Sequence, residues 1–376
     1  MRAKAGFERM IAEAVIVWLM GATLCLNAGA QSAPSSGKPQ TTHAQVEERE
    51  VKVGLAQEVD AWAAAEKAQW LGYSVPAVAL DRQVCCGDYG GDWSGARGCG
   101  RCQLERSHDE NNYNLQRGDV KLEGPSNIVV LFRAEGRKIG KIRAVSEDCV
   151  LDAGGLQITW LNGAKPADSV KLLERFVAGK ETDDRGGERL SRGALTAIAM
   201  HGDASADRAM AGFAAADKPE GMRREAAFWA GEARGAAGVQ LLKRMAKEDS
   251  SSDVRAQVTF ALSISKENNA VDEMIRMAHE DASGHVRGQA LFWLAQKAGK
   301  KASSAITGAI ENDPDTEVKK KAVFALSQMP KDDGVPKLIQ VAESNRNPEV
   351  RKQAMFWLGQ SNDPRALDFF ARVLAK

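Results

Sequence analysis

One phrase of eleven residues recurs five times between residues 222 and 361. Its first and last copies read MRREAAFWAGE from Met222 and VRKQAMFWLGQ from Val350. A fixed period of this length predicts a solenoid, because each unit can bury its apolar face only against its neighbours. The spacing between copies is 32 residues throughout, as shown by Phe228, Phe260, Phe292, Phe324 and Phe356.

Each unit has the pattern of two helices joined by short polar turns. In the copy that starts at Val286, apolar side chains recur at i, i+4, i+7 and i+8, which is the spacing of one helix face. A second apolar run with helical spacing follows, as in residues 335–342. Asp, Asn and Ser in the turns suit the capping of the next helix. The pattern predicts about six helix pairs over residues 181–376.

The Val-Arg-x-x-Ala track of these copies resembles the HEAT-like repeats of phycobilisome lyases, which are common in bacterial proteins. The resemblance covers about half of the chain, from near Leu190 to Lys376. It includes a degenerate first unit in which Thr196 stands in place of the phenylalanine. It implies an α-solenoid, and the chain is similar in this respect to exported bacterial HEAT-repeat proteins.

Deoxyhypusine hydroxylase is similar at the level of its repeats, and it holds a di-iron centre on several His-Glu pairs. This chain has one such pair, His279-Glu280. At the equivalent positions the neighbouring repeats carry Lys247-Glu248, Glu311-Asn312 and Glu343-Ser344. The resemblance therefore carries over no metal site. The sequence also lacks a G-x-S-x-G elbow, and we predict no catalytic residue, no cofactor and no enzymatic activity.

The sequence of the first fifty residues predicts a leader followed by a linker. Basic residues precede an apolar run from Ala14 to Leu26, and Ala28-Gly29-Ala30 has the form of a cleavage site. Residues 1–30 are thus predicted to be a secretory signal peptide, with an uncleaved anchor as the alternative. Residues 31–50 are rich in Ser, Pro, Gln and Thr and predict a disordered linker. With no other run of membrane-spanning length, the mature chain is expected to be soluble and periplasmic or extracellular.

Residues 51–180 differ in kind from the repeats. Short β-like runs occur near residues 73–78, 127–132, 138–145 and 156–161, separated by glycine-containing turns. Helical spacing precedes the first run and returns after the last. This order predicts a small α+β domain in front of the solenoid.

Five cysteines follow the predicted leader: Cys85, Cys86, Cys99, Cys102 and Cys149. The first four lie in one glycine-rich segment. In an exported protein such a cluster predicts structural disulfides, with Cys149 as a natural mate for one of the four. Two alternatives remain, a zinc site formed by the thiolates and a redox dithiol at Cys99-Gly-Arg-Cys102. The connectivity and the identity of the unpaired cysteine stay open.

The charge balance argues against nucleic acid as a partner. The chain has 51 basic and 50 acidic residues, for a formal net charge of +1, so it lacks the basic field that drives phosphate binding. The Val-Arg track is expected to pair with turn acids such as Asp253. That pairing would connect units to one another and has a structural role.

Aromatic side chains mark one position of every full copy. The residue after each phenylalanine alternates between Trp and Ala, with tryptophan at Trp229, Trp293 and Trp357. One interpretation is interlocked packing of large and small side chains. The other is a strip that anchors a protein partner, as buried Trp and Phe often do at interfaces. The candidate partner-binding residues are Phe228, Trp229, Phe260, Phe292, Trp293, Phe324, Phe356 and Trp357.

The features together predict a non-catalytic scaffold of the cell envelope that binds a protein of unknown identity along its solenoid. The alternative is a thiol redox or metal-binding protein that uses Cys85, Cys86, Cys99 and Cys102.

Overall fold

The computed structural model describes residues 38–79, 101–105, 126–177, 185–297 and 299–375. These residues form eight strands and fourteen helices. All strands lie before residue 163, and twelve helices follow one another from Arg185 to Leu374. The predicted signal peptide, residues 1–30, lies outside the described residues.

A five-stranded mixed sheet forms the centre of the N-terminal region. β3, β5 and β6 are antiparallel neighbours, whereas β2 and β3 both run parallel to β8. The inner strands read as continuous apolar runs because side chains on both faces are buried, as the pattern of β5 shows. The strand order is β2 (Gln45–Glu50), β8 (Gln157–Asn162), β3 (Gln69–Pro76), β5 (Asn127–Glu135) and β6 (Lys138–Ser146).

Each face of this sheet packs against a different layer. On one face Tyr73 and Phe132 join a core that includes helices α1 (Leu55–Ala63) and α2 (Pro166–Val177). On the other face Trp70 and Trp160 join a second, smaller core. That core also takes residues from a short parallel sheet in the order β1 (Thr41–Thr42), β7 (Val150–Asp152) and β4 (Arg101–Gln103). The predicted α+β character of this region is confirmed.

The predicted disordered linker, residues 31–50, is wrong in its second half. Residues 41–42 form β1, and β2 occupies residues 45–50 as an edge strand of the main sheet. Five of the six side chains of β2 are exposed and most are charged. Charged edge strands are common because they discourage pairing with other chains. Composition therefore gave no apolar signal for this strand.

The predicted six helix pairs are confirmed over the C-terminal half. Turn residues cap the first or second helix of several pairs, and Asp203, Ser251, Asp315, Asn347 and Asp363 all accept hydrogen bonds from backbone N–H groups. The pairs are α3 (Arg185–Met200) with α4 (Ala204–Phe213), α5 (Glu220–Ala233) with α6 (Gly235–Glu248), α7 (Ser252–Ile264) with α8 (Asn269–Glu280), α9 (Gly284–Lys297) with α10 (Gly299–Asn312), α11 (Thr316–Ser327) with α12 (Lys331–Ser344), and α13 (Pro348–Gln360) with α14 (Pro364–Leu374).

The first pair is packed directly on the sheet. A Cβ atom at Gly193 of α3 would lie 2.3 Å from the Ile142 carbonyl oxygen on β6, and one at Gly202 would lie 2.5 Å from that of Ala77. Glycine is needed at both positions because backbone meets backbone there. One continuous core runs from Leu55 through the helix pairs to Phe369. The outer side of the first pair is therefore covered by the sheet.

None of the described helices is both long and apolar enough to cross a membrane.

Candidate protein-binding surface on the solenoid

Three ion pairs, two of them buried and one part-buried, fix the first helix of a unit to the end of its second helix. Arg223 Nε donates to Asp249 Oδ2 at 2.8 Å, and Arg287 Nε donates to Asp313 Oδ2 at 2.7 Å. The third pair joins Arg255 and Asp281 at 2.8 Å. All three are bidentate, since the Nη2 atom of each arginine reaches the second carboxylate oxygen. We call these six residues the arginine ladder.

The same arginines also bind the preceding turn. Arg255 Nη1 donates to the Asp249 carbonyl oxygen, and Arg287 Nη1 donates to that of Asp281, each at 2.8 Å. Each guanidinium thus connects its own unit to the one before it. Burial disfavours the charge of Asp281 and is the largest single influence on it. The hydrogen bonds from Arg255 and the Ser283 N–H, together with the charges of Arg255 and Arg276, outweigh burial and lower the pKa of that carboxyl.

The expected pairing of this track with turn acids is confirmed, but Asp253 as the named example is wrong. Asp253 is exposed, and its Oδ1 lies 3.9 Å from His285 Nε2. The acids that pair with the arginines lie 26 residues after them instead. They follow the second helix of the unit, where the side chain also caps the turn. Spacing along one helix could not show this, because the pairing depends on how the second helix returns.

The eight candidate aromatic residues form one continuous chain of ring contacts across five units, which we call the aromatic strip. Neighbouring centroids lie 4.8 to 6.3 Å apart, within the range of favourable aromatic pairs. In order of contact the strip runs Trp229, Phe228, Phe260, Trp293, Phe292, Phe324, Trp357 and Phe356.

The alternation of Trp and Ala gives the strip a two-unit period. Where a unit carries Trp, its phenylalanine stacks on the phenylalanine of the next unit, as Phe292 does on Phe324 with an interplanar angle of 6°. Where a unit carries Ala, its phenylalanine meets the next tryptophan, as Phe324 meets Trp357 at 4.9 Å. The rings therefore interlock between units, as the packing interpretation expects.

Most of the strip is also open to solvent on one side. Trp229 is buried, and Phe228, Phe260, Phe292 and Phe324 are half-buried. At the last unit Phe356 is 54% exposed. A row of exposed glutamines lies one helical turn beyond the last three phenylalanines. They are Gln296, Gln328 and Gln360. On this side the strip is bordered by neutral hydrogen-bonding groups, whereas Arg224, Lys320 and Lys352 stand one turn before the phenylalanines of their units. Its role in binding stays a prediction.

Two of the five cysteines are placed within the second core. Cys102 on β4 and Cys149 before β7 are fully buried, and both are disulfide-bonded. Cys85, Cys86 and Cys99 lie outside the described residues, so the connectivity and the redox or zinc alternatives stay predictions. In this bonded and buried state Cys102 carries no free thiol.

The histidines form no metal site in the described part of the chain, where no three His, Cys, Asp or Glu side chains converge. His279 and Glu280 of the predicted His-Glu pair are both exposed on α8.

A buried polar chain between the sheet and the first helix pair escaped the sequence analysis. His201 Nδ1 donates to the Ala197 carbonyl oxygen at 2.6 Å, and its Nε2 lies 2.8 Å from Ser169 Oγ. Tyr73 Oη lies 2.7 Å from the same Ser169 oxygen. Since Nδ1 carries the proton, Ser169 donates to Nε2 and Tyr73 donates to Ser169. All three residues have no exposed surface.

His201 is held neutral in this buried hydrogen-bond network. Burial lowers the pKa of His201 to about 4, and the nearby charge of Arg234 acts in the same direction. Burial raises the pKa of Tyr73 as well. A lone histidine and a lone tyrosine, 128 residues apart in the sequence, carry no pattern that could have revealed the contact.

The geometry of the helix pairs agrees with comparisons to known proteins. Residues 210–295 and 303–376 match the family described as HEAT repeats. The helix pairs within these residues are HEAT-like, and the match covers less than half of the chain. No curated protein matches the chain.

Solved structures with similar helix pairs come from proteins of several kinds. Human deoxyhypusine hydroxylase aligns with a TM-score of 0.28 and 13% identity, over 55% of this chain and 90% of its own. The complex of CpcE and CpcF of phycocyanin lyase from Nostoc sp. aligns at 0.31 and 17%, over 54% and 80%. A structure of Kap95p with RanGDP aligns at 0.33 and 15%, over 52% and 30%. Similarities this low relate the repeat fold and nothing further.

The prediction that the protein is not an enzyme is wrong as an inference from its fold. The similar structures include a hydroxylase and a lyase, so a HEAT-repeat solenoid is shared by enzymes.

Proposed function

We propose that this protein binds another protein along the aromatic strip. The observation that carries the proposal is the unbroken chain of eight rings, most of them half-buried, along the first helices of five units. Stacked helix pairs create extended surfaces of the kind that repeat proteins use for binding. Rigid aromatic side chains contribute a large apolar area at a low entropic cost, which suits interface anchors.

One flank of the strip supports a polypeptide as the ligand. Exposed Gln296, Gln328 and Gln360 offer both donors and acceptors that match the backbone groups of an extended chain. The phosphate groups of a nucleic acid would instead favour an unbroken row of cations. The row one turn before the phenylalanines holds Arg224, Lys320 and Lys352 but is interrupted by Ala256 and Gly288.

We further propose that the protein is exported and acts in the cell envelope or outside the cell. Support comes from the leader-like sequence of residues 1–30 and from the disulfide-bonded state of Cys102 and Cys149.

A pair of matched variants tests the binding proposal. Phe260→Ser with Phe324→Ser removes two rings that each contact the tryptophan of the next unit. The control, Ile275→Ser with Ile339→Ser, removes two half-buried apolar side chains with the same spacing from second helices. Both pairs remove comparable apolar surface, so losses of stability should be similar.

Chemical cross-linking in envelope extract, followed by mass spectrometry, compares the two variants after circular dichroism shows that both are folded. We expect a defined protein to be captured by the wild type and the control and lost from the Phe260 and Phe324 variant. Equal capture by all three would place binding elsewhere on the molecule.

A further inference from the structure

The charges on the first helices change sign along the aromatic strip. At one end, α5 carries three glutamates and two arginines, and one of these arginines, Arg223, is paired with Asp249 in the arginine ladder. Toward the other end, α11 carries three lysines and one glutamate, and α13 carries two basic residues and one acidic residue. The strip therefore has a basic end on α11 and α13 and no excess of cations on α5.

The second helices show no such order. Their net formal charge alternates in sign from each unit to the next between α6 and α14, with His279 counted as neutral. The gradual change is thus specific to the helices that carry the rings. A ligand that lies along the strip therefore meets a different electrostatic potential at each of its ends.

Residues one helical turn from the rings show the same difference. On α5, Glu225 and Glu232 accompany Arg224 at these positions. Glu225 Oε1 also lies 3.9 Å from Arg192 Nε on the first helix of the preceding unit. The corresponding positions of α7 and α9 carry no charged residue. Acidic and basic groups thus offset one another beside the ring of α5.

The border of the rings becomes basic on the next two first helices. Lys320 and Lys321 stand one turn before the phenylalanine of α11, and Lys352 stands one turn before that of α13. Lys320 Nζ donates to Glu317 Oε1 at 2.9 Å on its own helix. Lys321 and Lys352 are exposed, and neither pairs with a carboxylate of the described residues. These two ammonium groups are therefore available to an anionic ligand.

The side chain of Lys321 lies toward the strip. A Cβ atom at Gly288 on α9 would meet Lys321 Cδ and would lie 3.3 Å from its Nζ. The lysine stem therefore crosses from α11 to the neighbouring first helix, where the missing side chain of Gly288 leaves room for it. Since Gly288 stands one turn before Phe292, the ammonium group lies at the border of the rings.

The length of the strip matches a short extended segment. Its rings lie on five successive first helices, and packed helices lie about 8–10 Å apart, so the strip spans roughly 30–40 Å. An extended chain rises about 3.3 Å per residue, so about ten to twelve residues would cover the strip.

We infer, building on the binding function proposed above, that the ligand is an extended polypeptide segment with carboxylate side chains at one end. The carboxylates lie beside Lys321 and Lys352, and the apolar side chains of the segment lie on the rings toward α5. A nucleic acid matches this surface less well, because its phosphates carry the same charge along its whole length. Glu225 and Glu232 would face those phosphates on α5.

Fluorescence anisotropy of designed peptides with the full chain tests the inference. Each probe is a capped peptide of about twelve residues with leucine at alternate positions, and it carries glutamates at its N-terminal or its C-terminal end. A matched probe carries glutamines there instead. We expect one of the glutamate peptides to bind roughly three- to tenfold more tightly than the glutamine peptide, as two exposed ion pairs allow.

Charge variants locate the effect. Lys321→Gln with Lys352→Gln should bind the glutamate and glutamine peptides equally. Lys321→Glu with Lys352→Glu should instead prefer a peptide that carries lysines at the same end. The control, Lys247→Gln with Lys331→Gln, removes two exposed lysines from second helices and should keep the wild-type preference. All four positions are exposed, so each variant should remain folded.

Equal binding of the glutamate and glutamine peptides by the wild type would overturn the inference. A preference for glutamate that survives Lys321→Gln with Lys352→Gln would do so too. Tighter binding of a single-stranded oligonucleotide of the same length, or no binding of any peptide, would also overturn it.

The ring variant separates this inference from the proposed function. Phe260→Ser with Phe324→Ser should weaken the binding of every peptide, whatever its charge, because it removes apolar surface from the strip. If this variant loses the glutamine peptide while glutamates add nothing in the wild type, the strip binds polypeptides and the charge inference alone is wrong. If no peptide binds, the cross-linking in envelope extract still decides the proposed function, because it uses no designed ligand.

Discussion

Buried polar groups are paired by one recurring contact in the repeats and by a single, unrepeated network at the junction with the sheet. In the repeats one solution is reused, so Arg223, Arg255 and Arg287 each bind an aspartate 26 residues later. At the junction with the sheet the solution is used once, in the buried chain of Tyr73, Ser169 and His201. Reuse means that one unit serves as an internal control for another. A single solution offers no such comparison and must be tested by removing it.

The arginine ladder contains its own natural variation. In the fifth helix pair Lys319 stands where the ladder units have arginine. Asn345, 26 positions later, stands where they have aspartate. Lys319 Nζ donates to the Glu311 carbonyl oxygen at 2.9 Å, and Asn345 Oδ1 still accepts from the Asn347 N–H at 3.0 Å. Both charges differ together in this unit, so no buried carboxylate is left without its cation.

The largest effect is expected from breaking one ladder pair. Arg287→Ala leaves the buried Asp313 carboxylate without its partner, and removing one member of a buried pair costs about 3–5 kcal/mol. Transplanting the pair of the fifth unit, as Arg287→Lys with Asp313→Asn, should cost much less. Urea unfolding of both variants measures the difference. If the double variant is as unstable as Arg287→Ala, the charge on Asp313 is not the cause of the loss.

A second effect, specific to the junction, depends on pH. The pKa of His201 is about 4 in the folded chain and near 6.5 when unfolded. As pH falls from 6.5 to 4 the unfolded chain takes up a proton first, so folding stability is lost over this window, by up to roughly 3 kcal/mol. The free energy of unfolding of His201→Gln should lack this component.

The wild type should therefore exceed His201→Gln in stability by the largest margin near pH 7, and the margin should shrink toward pH 4. His279→Gln, on the exposed surface of α8, is the matched control. A constant margin between the wild type and His201→Gln across the window would show that burial does not hold this histidine neutral.

A smaller pair of effects compares an interior unit with the last one. Gly231→Ala would place a methyl group 2.1 Å from a backbone oxygen, and overpacking of this kind costs about 1–3 kcal/mol. Gly359→Ala meets nothing within 4 Å and should instead stabilise its helix by about 0.5–1 kcal/mol. Thermal unfolding measures both. Equal losses at the two positions would contradict the difference in space around the two glycines.

The repeats could be predicted from the sequence because their residue pattern is periodic. The spacing of Phe228 to Phe356 was enough to predict the helix pairs and to place the strip on their first helices. It could not pair Arg223 with Asp249, because that contact depends on how the second helix of the unit returns. It missed β2 because an edge strand needs no apolar residues, and it missed His201 because nothing local marks a residue buried by distant elements.

The central claim is that the aromatic strip binds a protein. The most direct test places a photo-cross-linking residue at Gln328, one turn beyond Phe324 on the strip, and in a second sample at Gln340 on α12. Both are exposed glutamines of the same unit, so each substitution should leave the fold unchanged. In envelope extract we expect a discrete cross-linked species from position 328 and none from position 340. The same species from both positions, or none from either, would contradict the claim.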